Sequence, residues 1–150
     1  MAPDEGAALK LRAEDAEDLA VISACLQDAL VAVRDLAYAP EERSFLIVAN
    51  RFRWENGLGP APGEAPFERV LCGITFSGVT AVAYIGFRRS DNGRILSLLA
   101  IRPEYDAVRL EFSGDAAIRL EVARIRCHVR DLGDPWPTPW QPRHEVDEAS

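Results

Sequence analysis

Ala116-Ala117-Ile118-Arg119-Leu120-Glu121-Val122-Ala123-Arg124-Ile125-Arg126-Cys127-His128-Val129-Arg130 decides between an antiparallel domain and a more helical one. Ile118, Leu120 and Val122 alternate with charged residues, and Ile125, Cys127 and Val129 take up the alternation again after a one-residue slip. Two readings meet the slip: one strand bulged at Ala123, or a strand followed by a short helix. Arg124, Arg126, His128 and Arg130 occupy every outward position of a period-2 pattern, which favours the strand.

Upstream of that stretch the same period dominates. A short strand is expected at 9–12, with Leu9 and Leu11 on one face. One helix is expected over 16–30, capped by Asp15 with Asp18 three residues on, and carrying Leu19, Ile22, Leu26, Ala29 and Leu30 as an apolar stripe. From Val31 the period falls to 2, giving a strand to about Tyr38, a turn at 40–43 and a long strand over 44–54. In that strand Phe45, Ile47 and Ala49 share a face ahead of Arg51 and Arg53, while Leu46, Val48, Phe52 and Trp54 share the other, as in a central strand. Residues 56–66, with three Gly and three Pro, read as a mobile loop. Strands follow at 67–76, 79–87, 94–101 and 108–112. Ser77-Gly78 reads as a hairpin turn, 90–93 as a turn and 103–106 as a break.

The fold class expected is α+β: one N-terminal amphipathic helix on a strongly curved antiparallel sheet or small barrel of seven to eight strands. A pleckstrin-homology-like arrangement fits that strand count by analogy. The chain reads as one domain over 1–150, with a disordered tail at 1–7, a core at 8–132 and an extended C-terminal segment at 133–150. With 150 residues, 48 % of them apolar, a real core is affordable; 27 % charged residues argue against disorder throughout.

Charge and cysteines exclude several functions. A net charge of −7 disfavours a general nucleic-acid binder, although the cations are sixteen arginines and the single Lys10. Cys25, Cys72 and Cys127 are widely separated and form no CxxC, so they read as buried thiols in a reducing compartment. The first residues lack the basic and apolar regions of a signal peptide, and no apolar run approaches the roughly 18–20 residues of a membrane span. A soluble, cytoplasmic protein without membrane, metal or cofactor is expected.

No catalytic set emerges. His128 lies in an arginine row, His144 lies in the tail, and no nucleophile elbow accompanies either. Asp15, Glu17 and Asp18 explain themselves as a helix start, and Asp131 and Asp134 as turn residues. The glycines at 57, 59 and 63 lead into no helix and no Lys-Ser/Thr, so they form no phosphate cradle. The arginine groups Arg51/Arg53, Arg88/Arg89 and Arg124/Arg126/Arg130 could gather into a patch for anions or RNA; pairing with Glu111, Glu121 and Asp131 is the competing account.

The ending Asp131-Leu132-Gly133-Asp134-Pro135-Trp136-Pro137-Thr138-Pro139-Trp140-Gln141-Pro142-Arg143-His144 holds two of the three tryptophans. Its prolines forbid a helix and remove the donors of a central strand, leaving an extended ribbon. The two indoles either strap that ribbon to the body or anchor a partner. With Leu11-Arg12-Ala13-Glu14-Asp15-Ala16-Glu17-Asp18-Leu19 and Asn50-Arg51-Phe52-Arg53-Trp54-Glu55, this ending resembles an uncharacterised bacterial family of the "domain of unknown function" kind, about 150 residues long. The resemblance covers nearly the whole chain and implies no catalytic residues.

The leading expectation is a non-enzymatic binding or adaptor module that meets a protein partner through the C-terminal segment, with Trp136, Trp140, Arg143 and His144 as contacts. The alternative is a small-molecule-binding protein or small enzyme with a pocket at Arg51, Arg53, Trp54 and His144. A further alternative is a nucleic-acid-associated protein using the arginine clusters.

Overall fold

The stretch 116–130 is two strands that belong to different neighbours. In the computed structural model, which describes residues 9–52, 67–133 and 136–138, β8 (Ala116–Val122) ends where the alternation slips, and β9 (Cys127–Asp131) begins after four intervening residues. Ile118 and Val122 face the core on even positions; Cys127 and Val129 face it on odd ones. The irregular residues 123–126 change the parity, so both strands bury their apolar side. A bulge would have kept one set of neighbours for both halves. Here the expected single bulged strand is corrected, because the chain crosses the molecule at the slip.

The remaining elements are β1 (Lys10–Ala13), α1 (Ala16–Cys25), β2 (Leu30–Ala39), β3 (Ser44–Phe52), β4 (Phe67–Ser77), β5 (Val79–Ile85), β6 (Ile95–Glu104), β7 (Ala107–Phe112) and β10 (Trp136–Thr138). Nine strands follow one antiparallel path, β1-β9-β4-β3-β2-β6-β7-β8-β5, and β10 pairs with β4 beside it. The architecture is thus an antiparallel sheet with one N-terminal helix. Among the described residues the sheet is open, ending on β1 and β5, and it has ten strands instead of seven to eight. The surplus comes from the division of 116–130 and from β10.

β6 turns the corner of the sheet. Its first residues, 95–97, pair with β2, while the ladder from Leu98 to Glu104 pairs with β7, with a register shift between Leu98 and Ala100. The two halves of the sheet therefore fold over a shared core that includes Phe45, Ile47, Ile74, Phe76, Leu110 and Leu120. The helix packs against β6 and β1. Asp15 caps it as expected, its Oδ1 accepting from Asp18 N–H at 2.8 Å. Leu19 and Ile22 are fully buried, and Ser23 Oγ accepts from Ile101 N–H at 2.9 Å.

Two local expectations fail for non-local reasons. The helix stops at Cys25 rather than 30, because β6 takes over the backbone. Asp28 N–H donates to Leu98 O at 2.7 Å, and Leu98 N–H donates to Ala29 O at 2.8 Å. Asp28 adopts φ 67°, turning the chain into β2. Leu26 and Ala29 stay buried, but outside the helix. Ser77-Gly78 is not a hairpin either. Residues 72–76 of β4 already pair with β3 on one side and β9 on the other, leaving β5 no ladder to join. Gly78, at φ 75°, redirects the chain so that β5 pairs with β8.

Gly86 shows how tightly the β5–β8 end is packed. Its φ is +79°, and a Cβ there would run into the carbonyl oxygen of Asp115. Gly93 has open space and no such φ. Gly86→Ala is therefore expected to cost about 2–3 kcal/mol, and Gly93→Ala less than about 0.5 kcal/mol. Paired urea or thermal melts of the two variants check the contrast.

Candidate functional site

Arg51 sits on the inward face of β3, continuing the alternation Phe45, Ile47, Ala49 into the core. Its side chain is 0 % exposed, and its carboxylate partner Asp131 on β9 is 4 % exposed. Nε and Nη2 each donate to Asp131 at 2.9 Å, to Oδ1 and Oδ2 respectively. Asp131 Oδ2 also accepts from Leu9 N–H at 2.8 Å. This bidentate geometry offsets the desolvation of both charges. One ion pair thereby joins the central strand, the strand before the C-terminal segment and the residue preceding β1. Of the residues expected to form a pocket, Arg51 has its fork on Asp131, while Arg53, Trp54 and His144 lie outside the described residues.

A second cluster stands on the outer face at the same end. Arg69 Nη1 donates to both Asn50 O and Asn50 Oδ1 at 3.2 Å, and its guanidinium lies 5.8 Å from the centre of the Phe52 ring. Burial lowers the Arg69 pKa, and the Asp28 charge opposes that shift. β10 joins the sheet here, with Trp136 opposite Arg69, Pro137 opposite Glu68 and Thr138 opposite Phe67. Residues 136–138 of the C-terminal segment are thus laid along β4 as an added strand. Trp140 and Arg143 lie outside the described residues, as do the 56–66 loop and the tail at 1–7.

The arginines divide into two populations. On the outer face of β6, β7 and β8, each arginine has a glutamate: Arg102–Glu111 at 2.8 Å, Arg109–Glu111 at 3.5 Å, Arg119–Glu104 at 3.1 Å and Arg119–Glu121 at 3.5 Å. Arg89 donates to Val33 O and lies over Tyr84. The expected carboxylates Glu111, Glu121 and Asp131 are indeed paired, though to Arg102, Arg109, Arg119 and Arg51 instead of the arginines near β9.

The β9 side differs. Arg126, His128 and Arg130 are exposed, and so are Lys10 and Arg12 on the neighbouring β1. In the ladder Lys10 stands opposite Arg130, and Arg12 opposite His128. None of the five is ion-paired among the described residues. A small open cleft of about 170 Å³ lies between Arg12, Ala13, Glu14, Arg126, Cys127 and His128. That is too small for a metabolite-sized ligand, which takes roughly 300 Å³ or more. Sequence reasoning placed the β9 half of this row and missed the β1 half, since only strand pairing brings Lys10 and Arg12 beside it.

The two fully buried thiols, Cys72 and Cys127, are not activated nucleophiles. Burial pushes the Cys72 thiol up to about 12; Arg51 opposes this and Asp131 adds to it. Burial alone pushes Cys127 up to about 12. Reactive thiols are shifted in the opposite direction. No group of three or more His, Cys, Asp or Glu among the described residues could hold a metal ion. No helix there is long and apolar enough to cross a membrane.

The chain belongs to the family described as "Protein of unknown function (DUF2948)", whose model matches residues 9–144. The match begins just before β1 and runs past β10, so it takes in the whole sheet. No curated protein and no solved structure matches the chain.

Removing one partner of the buried pair leaves the other charge stranded. Arg51→Met or Asp131→Leu alone is expected to cost about 3–5 kcal/mol, and the double variant clearly less than the sum; urea melts of all three give the cycle. Separately, Ellman's reagent at pH 8 should leave Cys72 and Cys127 unmodified in the native protein. Both should react once the protein is unfolded in guanidinium.

Proposed function

We propose that this chain is a non-enzymatic cytoplasmic binding module whose partner is a protein, met through the C-terminal segment. The observation that carries this reading is the placement of β10. Three residues of the Trp/Pro segment add to the first residues of β4, beside the Arg69–Phe52 contact. Thr138 stands opposite Phe67, the first residue of β4, and the sequence continues as Pro139–His144. Tryptophan and arginine are the side chains that most often anchor protein interfaces. That stretch supplies both, as Trp140 and Arg143.

The chemistry of the interior supports binding over catalysis. The two buried thiols are held in their protonated form, and Arg51, the one buried arginine among the described residues, is engaged by Asp131. A pocket built on Arg51, Arg53, Trp54 and His144 would require Arg51 to leave that carboxylate, at the cost of a stranded buried charge.

The test compares wild type with a Trp136→Ala, Trp140→Ala variant that retains its circular dichroism and urea transition. The expected outcome is a stoichiometric protein partner that co-purifies from native lysate with wild type, is identified by mass spectrometry, and binds the purified variant at least about tenfold more weakly. Equal affinity for both proteins removes the C-terminal segment from the interface.

A further inference from the structure

We infer that the outer edge of β1, backed by the cationic row on β1 and β9, is a docking strand for an extended peptide alternating acidic and aliphatic residues. This surface is separate from the β10 corner, so the two readings stand or fall independently.

The first observation is electrostatic. Lys10–Arg130 and Arg12–His128 are directly opposed pairs of basic residues on one exposed face. Directly opposed like charges, as Lys10 and Arg130 are here, destabilise a sheet. The β6–β8 face carries opposed arginines too, Arg102 with Arg109 and Arg109 with Arg119, but there Glu104, Glu111 and Glu121 relieve them. On β1 and β9 no described carboxylate does so. Glu14 is the acidic residue lining the adjoining cleft, and it makes no ion pair there. A chain with seven surplus negative charges has glutamates to place, and among the described residues none stands in this row. The missing carboxylates are those a partner would bring.

The second observation is the backbone. Asp131 N–H donates to Leu9 O at 3.0 Å, which fixes the phase of the antiparallel ladder. Leu9 and Leu11 turn their backbone groups to β9; Lys10 and Arg12 turn theirs to the outer edge. β1 ends the sheet path, so no described strand receives those groups. Leu9 and Leu11 remain only half-buried on the inner side. An added strand would satisfy the edge, cover the two leucines with its aliphatic side chains, and set its carboxylates beside Lys10 and Arg12.

Other accounts fit less of this. A lysine on an edge strand guards against aggregation, but Arg126, His128 and Arg130 are not on the edge. Single-stranded nucleic acid binders stack bases on several large aromatic rings, and the described outer face of β1 and β9 has no Phe, Tyr or Trp.

The test uses the full chain and a fluorescein-labelled octapeptide of alternating Glu and Val. Octaglutamate, a block peptide of four Glu then four Val, and oligouridylate serve as comparators. Anisotropy titrations should show the alternating peptide binding at least about tenfold tighter than any comparator. Arg130→Glu should weaken it about tenfold or more. Lys10→Pro, which removes the outward donor, should weaken it far more than Lys10→Ala, which removes only the charge. Amide exchange of wild type should show the Lys10 and Arg12 N–H groups becoming protected when the peptide binds, a readout that does not depend on variant folding. Equal binding of octaglutamate or oligouridylate, or equal effects of the two Lys10 variants, would overturn strand addition. So would edge amides already protected in the free protein, which would mean that the edge is covered by the chain itself or, where protection rises with protein concentration, by a second copy.

Discussion

The Arg51–Asp131 pair is the constraint around which the sheet is arranged. A guanidinium and a carboxylate both out of water are tolerable only together and only with their hydrogen bonds made. That requirement is geometric. Arg51 is opposite Val70 on β4, and Asp131 is opposite Cys72, so the pair spans β4 diagonally from β3 to β9. Sliding β9 by one residue would turn Asp131 to the outside and leave Arg51 buried with its main partner gone. Apolar alternation in β9 rests on two residues, Cys127 and Val129, which is thin specification for register. The ion pair supplies what the pattern lacks, and Leu9 N–H on Asp131 Oδ2 extends the same control to β1.

β4 explains much of the topology. It is paired on both sides over 72–76 and carries β10 beyond that, so the chain leaving it at Ser77 must go elsewhere. It goes to β8, which sends β5 to the far end of the path and opens the sheet into two halves joined at β6. The helix then bridges β6 and β1, at places far apart along the path. One short helix suffices because only the gap between the halves needs covering.

How much of this was legible depended on the range of the cause. With Arg124 and Arg126 of the expected row left in the irregular residues before β9, the Asp15 cap, the turn at 40–43, the inward run Phe45, Ile47, Ala49 and the outward His128 and Arg130 are products of local sterics and period-2 patterning. They appear where the sequence places them. The helix end at Cys25 is set by hydrogen bonds to Leu98, more than seventy residues away in sequence. The failed hairpin at Ser77-Gly78 reflects a ladder already occupied by β9, fifty residues downstream. Residues 123–126 looked like a bulge because a parity change reads the same whether or not the neighbours change. Arg51 is the instructive case among the candidate residues: the alternation put it on the apolar side, and only Asp131, eighty residues later, accounts for it there. Trp54, Trp140, Arg143 and His144 lie outside the described residues, so of the candidate set the fold places Arg51 and the backbone of Trp136.

An open sheet has two ends, and here they are treated differently. At β5 the edge is blunted from within: Tyr38 Oη donates to Val79 O at 3.0 Å, Val79 N–H donates to Arg43 O at 2.8 Å, and a register shift follows between Val79 and Ala81. Hydrogen-bonded termini and irregular registers are ordinary ways to stop a strand from recruiting another. β1 has no such device among the described residues. It is short and regular, no described strand pairs its outward groups, and it carries a cation at each outward-facing residue. Charge on an edge repels copies of the same edge while it attracts a strand of opposite sign. The same two side chains thus discourage self-association and select for an acidic partner, which is why the β1 end, and not the β5 end, is the place where this fold can accept another chain.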